Sequence, residues 1–104
     1  NKRPLKFPSF EFLNEKIFMT RELYDETFEL YASLEEFKYE YIPLPQHIHC
    51  FVREVSGILS VYIGETIPGT QIPHRSGIQI KEDGEIYEGN WVHGNLSGIG
   101  RLIC

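Results

Sequence analysis

Between residues 20 and 41 the apolar side chains recur at helical spacing. One stripe advances by alternate steps of four and three residues and contains Leu23, Thr27, Leu30, Leu34, Phe37 and Tyr41. A second stripe beside it contains Tyr24, Phe28 and Tyr31. Thr20 is placed to cap the first turn, where the helix dipole also favours an acidic residue such as Glu22. The pattern predicts an amphipathic helix over residues 20–41 that ends before Pro43 and Pro45.

The residues before this helix form a basic arm followed by a short aromatic stretch. The stretch is crowded with large apolar side chains, namely Phe7, Phe10, Phe12, Leu13, Ile17 and Phe18. Ser9 is placed to cap a short helix there. We therefore predict an N-terminal segment over residues 1–46, made of the arm, the helices and a proline linker, and a second region over residues 47–104.

The region from residue 47 onward has the pattern of β structure. Apolar and β-branched residues dominate residues 48–63, and glycines punctuate the rest. Asp83-Gly84 is a strong hairpin signal, and His93-Gly94-Asn95 marks the next turn. We predict strands at about residues 56–66, 77–82, 85–91 and 97–103, in an antiparallel meander of four strands. Together with the helix, this gives an α+β fold.

The most specific feature of the sequence is an internal repeat. Residues 62–69, YIGETIPG, return after 25 residues as residues 87–94, YEGNWVHG. The second copy continues into Gly-x-Gly, which gives Tyr-x-Gly-x-Trp-x-x-Gly followed by Gly-x-Gly. In an extended strand Tyr87, Gly89 and Trp91 share one face, so a bare glycine backbone lies between two aromatic rings. We interpret these residues as scaffold.

This pattern resembles the MORN (membrane occupation and recognition nexus) repeat over roughly residues 57–104. The residues that carry the resemblance are Tyr62, Gly64, Gly69, Gly77, Gly84, Tyr87, Gly89, Trp91, Gly94, Gly98 and Gly100. The first copy departs from the family at Thr66, which replaces the aromatic residue, and at Arg75, which replaces the first glycine of Gly-x-Gly. Its loop is also about two residues longer. About three repeats are needed for an independent array, so we expect the helix, a second copy of the chain or a larger assembly to complete the structure.

The net charge of −5 lies on the predicted helix. Residues 20–41 hold seven acidic and two basic side chains, and the charges of the remaining residues balance. Nucleic acid is therefore not an expected partner, because phosphate binding needs a basic face. The basic residues Lys2, Arg3 and Lys6 are expected to be solvated. No run of about 18 apolar residues occurs, so no membrane span is predicted.

The histidines and cysteines supply no complete site in the sequence. Two cysteines make no disulfide framework, and we expect a reduced, intracellular setting. His47, His49 and Cys50 lie close together in an extended segment, but His74 and His93 are predicted in separate loops. A structural zinc site needs a full tetrahedral ligand set, so we expect no metal. We also find no activating base for a Cys50 nucleophile and no cofactor motif.

The resemblance implies a non-catalytic scaffold or tethering component, of the kind that MORN proteins provide in cilia, cytoskeletal structures and membrane–organelle junctions. We expect protein partners or self-association through the sheet around Tyr87 and Trp91 and through one face of the helix. That helix face comprises Leu23, Leu30, Leu34, Phe37 and Tyr41. Alternatively, the helix face packs on the chain's own sheet. Two other functions stay open: a peripheral lipid-binding module, and a regulatory appendage of a larger enzyme. The second is compatible with a sequence that starts at Asn1 rather than Met.

Overall fold

The computed structural model describes residues 3–104 and consists of two helices followed by an antiparallel sheet. The helices are α1 (Phe10–Ile17) and α2 (Arg21–Ser33), and a 3-10 turn (Pro45–His47) leads into the sheet. The five strands are β1 (Ile48–Val55), β2 (Ile58–Thr66), β3 (Pro73–Lys81), β4 (Ile86–Val92) and β5 (Asn95–Ile103), hydrogen-bonded in chain order. This architecture confirms the predicted α+β class and the antiparallel meander. Of the basic arm that was predicted to be solvated, Lys2 lies outside the described residues and Lys6 is exposed. Arg3 is half-buried, so the prediction was wrong for this residue, whose guanidinium binds a backbone carbonyl.

Both helices begin at the residues that the sequence predicts as caps. Ser9 Oγ accepts a hydrogen bond from the Phe12 amide at 3.2 Å, and Thr20 Oγ1 accepts one from the Leu23 amide at 3.2 Å. Each hydroxyl satisfies an amide that the first helical turn leaves without an intrahelical partner. Within residues 3–104, neither helix is long and apolar enough to cross a membrane.

The second helix ends at Ser33 rather than at residue 41, so its predicted length was wrong. Leu34 leaves the helix with extended φ and ψ of −87° and 154°, and Arg3 Nη2 donates to its carbonyl at 2.6 Å. Residues 34–44, which we call the crossing segment, are not helical and contact the sheet. Ser76 Oγ, for example, donates to the Tyr41 carbonyl at 2.5 Å. Tertiary hydrogen bonds therefore override the helical periodicity of residues 34–41.

The sheet has five strands rather than the four predicted, because β1 was not recognised. A two-residue turn at Ser56 and Gly57, with φ of 53° and 79°, separates β1 from β2. Positive φ at both turn residues matches the twist of the flanking strands. The turn at His93 and Gly94 has the same form, with φ of 49° and 88°. β3 also begins earlier than predicted, at Pro73.

One face of the sheet packs against the helices and forms the core; we call it the helix-covered face. Its strand residues are Val61, Ile63, Ile78, Ile80, Ile86 and Ile103. They pack with side chains from the N-terminal segment, namely Leu5, Leu13, Ile17, Met19 and Tyr31. Because strand residues alternate between faces, the other face carries a different set of side chains. The two regions that the sequence divides at residue 46 thus share one hydrophobic core.

Candidate functional site

The two hairpins that contain the sequence repeat have the same geometry. Gly64 pairs with Gly77 and Gly89 pairs with Gly100, and both ladders then become irregular. After the glycine pair, one residue of the first strand lies opposite three residues of the second strand in each hairpin. Regular pairing resumes at Thr66 with Pro73 in the first hairpin and at Trp91 with Leu96 in the second. The second strand carries a positive φ at matching positions, 72° at Arg75 and 67° at Gly98. The loop of the first hairpin, residues 67–72, is longer than the two-residue turn of the second.

A row of four glycines crosses the sheet, with Gly64, Gly77, Gly89 and Gly100 paired in order on β2 to β5. A Cβ placed on Gly64 would overlap the Gly77 Cα, and one on Gly89 would lie 2.5 Å from the Gly100 Cα. A Cβ on Gly77 would overlap the phenol of Tyr62. The row therefore lets an aromatic ring rest directly on the backbone. Of the other repeat glycines, Gly69, Gly84 and Gly94 lie in loops or turns with φ of 78°, 92° and 88°.

The side of the sheet opposite the helices carries aromatic and apolar side chains; we call it the open face. One cross-strand row joins all five strands through Phe51, Tyr62, Gln79, Tyr87 and Leu102. The Tyr62 ring lies 5.4 Å from Phe51 and 5.4 Å from Trp91, which it meets edge-on. Tyr62 and Trp91 are buried, Phe51 and Tyr87 are half-buried, and Leu102 is 49% exposed. The buried centre of this face is thus bordered by accessible apolar residues.

Arg53 of β1 reaches across the open face towards β3 and the β4–β5 turn. Its Nη1 donates to Gln79 Oε1 at 2.8 Å and its Nη2 donates to the Gly94 carbonyl at 3.3 Å. The guanidinium carbon lies 5.8 Å from the centre of the Trp91 ring. Burial lowers the pKa of the Arg53 guanidinium from its usual value. Among residues 3–104, no carboxylate lies within salt-bridge distance of this side chain.

On the helix-covered face, a buried carboxylate joins α2, the crossing segment and the sheet. Glu88 is 2% exposed, and its Oε2 accepts hydrogen bonds from the hydroxyls of Tyr39 at 2.7 Å and Tyr31 at 3.4 Å. Arg101 Nε donates to Glu88 Oε1 at 3.1 Å. Burial, followed by the charge of Glu88, raises the pKa of Tyr31 to about 12 and also raises that of Tyr39. The sequence did not signal this cluster, because Glu88 occupies an unspecified position of the repeat.

The helix face proposed from the sequence is not a continuous surface. Leu23 and Leu34 are half-buried and pack against the core. Phe37 is half-buried and meets the Tyr39 ring edge-on at 4.9 Å, whereas Leu30 and Tyr41 are exposed. Leu34, Phe37 and Tyr41 also lie beyond the end of α2, so helical spacing does not align them with Leu23 and Leu30.

The structure brings His74, which the sequence pattern places in a separate loop, next to His47 and His49. His47, His49 and His74 border a cavity of about 320 Å³, together with Leu44, Glu65, Thr66, Pro68 and Arg75. His74 lies in β3 rather than in a loop, and its Nδ1 accepts a hydrogen bond from the His93 amide at 3.3 Å. Cys50 is exposed and borders a different cavity beside α1, where partial desolvation raises the pKa of its thiol. In the part of the chain that the structure describes, no group of three histidine, cysteine, aspartate or glutamate side chains is arranged to hold a metal ion.

No family model, curated protein or solved structure matches the chain. The candidate site therefore rests on the geometry of the sheet. Its open face combines a fixed aromatic centre, an accessible apolar border and an arginine without an anionic partner among the described residues.

Proposed function

We propose that this chain is a non-catalytic interaction subunit that docks a partner protein on the open face of its sheet. The observation that carries the proposal is the row of Phe51, Tyr62, Gln79, Tyr87 and Leu102, which runs through five strands on the side away from the helices. Aromatic side chains with few rotatable bonds are favoured at the centres of protein interfaces, because they bury much area at a low entropic cost.

The arrangement of the aromatic centre supports docking. Trp91 is anchored by a hydrogen bond from its indole N–H to the Gly77 carbonyl at 3.1 Å, and the Tyr62 hydroxyl donates to the Glu65 carbonyl at 2.5 Å. These two buried rings would give the accessible residues around them an ordered support, so association would cost less conformational entropy. Tyr87 and Leu102 would supply the contact area that is still accessible.

The resemblance to MORN repeats favours the same function. The matching hairpins β2–β3 and β4–β5 and the glycine row agree with a repeat architecture, and proteins of that family are scaffold or tethering components. We extend that role to this chain as part of the proposal, with the partner belonging to a larger assembly.

A protein partner is favoured over a lipid surface by the charges on the open face. Adsorption to anionic lipid gains about 1 kcal/mol for each basic residue near the surface, so it needs several of them. Lys81 is already paired with Glu85 at 2.7 Å, which leaves Arg53 as the cation of this face without a carboxylate among residues 3–104.

The test compares variants of the open face with a matched variant elsewhere. Tyr87→Ser/Leu102→Ser removes accessible apolar side chains from the open face, whereas Ile42→Ser removes one that is 81% exposed in the crossing segment. We expect the same protein to be captured from the native cell extract by the wild-type chain and by Ile42→Ser, and lost with the double variant. Equal capture by all three chains, or co-sedimentation of the wild type with phosphatidylserine vesicles but not with any protein, would contradict the proposal.

A further inference from the structure

We infer that Arg53 is a carboxylate-binding residue of the open face, and that the docked segment presents an Asp or Glu side chain next to an apolar residue. This inference rests on the proposed docking function, and it specifies the chemistry of the partner. Arg53 carries it because its position, its hydrogen bonds and its surroundings all differ from those of the other arginines on the sheet.

The hydrogen bonds of Arg53 orient the guanidinium without neutralising it. Both acceptors, the side-chain amide of Gln79 and the carbonyl of Gly94, are uncharged. A guanidinium has five N–H donors in a planar fork, and the described contacts engage Nη1 and Nη2 while Nε has no protein acceptor among residues 3–104. The side chain is thus held in place with donors still available to a ligand.

The other two arginines of the sheet, unlike Arg53, form ion pairs with carboxylates of the chain itself. Arg75 Nε lies 3.1 Å from Glu65 Oε2, and Arg101 Nη2 lies 3.1 Å from Glu88 Oε1. Both of these carboxylates are buried. Arg53 is partly buried as well, and burial lowers its pKa, yet it has no acidic partner in the described chain. An incoming carboxylate would supply the missing counter-charge where solvent only partly screens it.

The surroundings of Arg53 favour a carboxylate attached to an apolar group. The Trp91 ring lies 5.8 Å from the guanidinium carbon, and Tyr62 packs edge-on against that ring. Phosphate sites normally combine several donors and cations, whereas a single planar fork beside an aromatic ring fits a carboxylate with an adjoining apolar side chain. Because the chain has a single tryptophan, Trp91 also reports directly on this contact.

The experiment titrates the whole chain with small peptides and follows the indole N–H resonance of Trp91. The probes are N-acetyl-Asp-Phe-amide and its uncharged counterpart N-acetyl-Asn-Phe-amide. Since hydrogen bonds between charged groups are stronger than those to an uncharged amide, we expect the Asp peptide to bind about tenfold more tightly at low ionic strength. Inorganic phosphate, titrated separately, is expected to shift the resonance less than the Asp peptide does.

Two substitutions and one control assign the preference to Arg53. Arg53→Gln should abolish the preference for Asp over Asn, and Arg53→Lys, which keeps the charge but lacks the planar fork, should retain only part of it. Arg21→Gln, which removes an exposed arginine paired with Asp25 on α2, should leave the preference unchanged. An amide spectrum as dispersed as that of the wild type shows that each variant is folded, because replacing Arg53 beside Trp91 shifts the indole resonance by itself.

Several outcomes would overturn the inference while leaving the docking proposal intact. Equal binding of the two peptides, no binding of either, or an unchanged preference in Arg53→Gln would each remove Arg53 from carboxylate recognition. A stronger response to phosphate would replace the carboxylate by a phosphoryl group. The docking proposal itself fails if capture of the partner is insensitive to Tyr87→Ser/Leu102→Ser, or if the wild-type chain binds phosphatidylserine vesicles but no protein.

Discussion

The indole N–H of Trp91 donates a hydrogen bond to the carbonyl of Gly77, 3.1 Å away on the neighbouring strand. The same glycine supports the ring of Tyr62, which meets Trp91 edge-on at 5.4 Å. A glycine on β3 therefore organises aromatic residues from β2 and β4. This relationship explains why the repeat alternates aromatic residues with glycine, and it links the stability of the sheet to the composition of its open face.

We expect Trp91→Ala to destabilise the fold by about 3–5 kcal/mol, the usual cost of truncating a large buried aromatic residue. Trp91→Phe keeps a ring but loses the hydrogen bond, so the Gly77 carbonyl loses a partner and we expect a smaller loss of about 1–3 kcal/mol. The measurement is urea unfolding followed by circular dichroism, because the substitutions remove the only tryptophan. Equal losses for Trp91→Ala and Ile42→Ala, an exposed control, would contradict this role.

Gly77→Ala tests whether the glycine row is needed for close packing rather than for backbone flexibility. Its Cβ would overlap the Tyr62 ring, and overpacking of this kind costs about 1–3 kcal/mol. Gly69→Ala is the comparison, because Gly69 has a φ of 78° but no atom within 4 Å of an added Cβ. We expect Gly69→Ala to lower the free energy of unfolding by about 1 kcal/mol, the cost of a left-handed residue, without displacing Tyr62. Shifts of the Tyr62 ring resonances confined to Gly77→Ala would distinguish the two causes, and their absence would contradict the packing argument.

The parts of the fold that the sequence predicts correctly are set by local chemistry. The caps at Ser9 and Thr20 depend on residues within one helical turn, and Asp83-Gly84 forms its turn from neighbouring residues. The Ser56-Gly57 turn is equally local, but it is a less specific signal and lies within a long apolar stretch, so β1 was missed. Short-range signals thus predicted most of the elements and the order of β2 to β5.

The parts that the sequence could not predict depend on contacts between distant residues. Nothing near Leu34 indicates that the helix ends there, because its carbonyl is bound by Arg3 and the crossing segment is held by Glu88 and Ser76. Arg53 likewise looks like an ordinary charged residue of a strand until its strand is placed beside β2. Tyr62, Tyr87 and Trp91 were therefore predictable from the repeat, whereas Phe51 and Arg53, on the strand that was missed, were not.

The two hairpins offer a direct exchange of residues at equivalent positions. Glu65 and Arg75 in the first hairpin correspond to Asn90 and Gly98 in the second, and Arg75 has a φ of 72° that favours glycine. Arg75→Gly relieves about 1 kcal/mol of backbone strain. It also leaves the buried Glu65 carboxylate without its ion pair, so we expect the free energy of unfolding to fall by about 1–2 kcal/mol in total. The double variant Glu65→Asn/Arg75→Gly should return to within about 0.5 kcal/mol of the wild type, because the unpaired charge is gone.

A double-mutant cycle based on urea unfolding measures this compensation. Additive losses in the double variant would show that the positions are not equivalent in the two hairpins. The control is Arg21→Ala, which breaks an exposed ion pair with Asp25 and is expected to change the free energy of unfolding by less than about 0.5 kcal/mol. Alanine replaces glycine in this control because Arg21 lies in a helix.

Tyr31 and Tyr39 should make the fold sensitive to alkali. Burial, followed by the charge of Glu88, raises the pKa of Tyr31 from 10.0 to about 12, and the same causes raise the pKa of Tyr39. A group whose pKa is raised on folding contributes its full stability below the unfolded pKa and loses it as the pH rises through the folded pKa. We therefore expect the contribution of Tyr31 to be constant up to about pH 10 and to disappear between pH 10 and about pH 12.

The variant Tyr39→Phe tests whether the Glu88 cluster is the source of this sensitivity. Its loss of the 2.7 Å hydrogen bond to Glu88 should cost about 1–3 kcal/mol at neutral pH. It also removes one ionisable hydroxyl from the cluster, so its free energy of unfolding should fall less steeply above pH 10 than that of the wild type. Urea unfolding at a series of pH values, with tyrosinate absorbance recorded in parallel, measures both effects. If the wild type and Tyr39→Phe lose stability with the same slope, the alkaline transition belongs to other groups and the cluster does not control it.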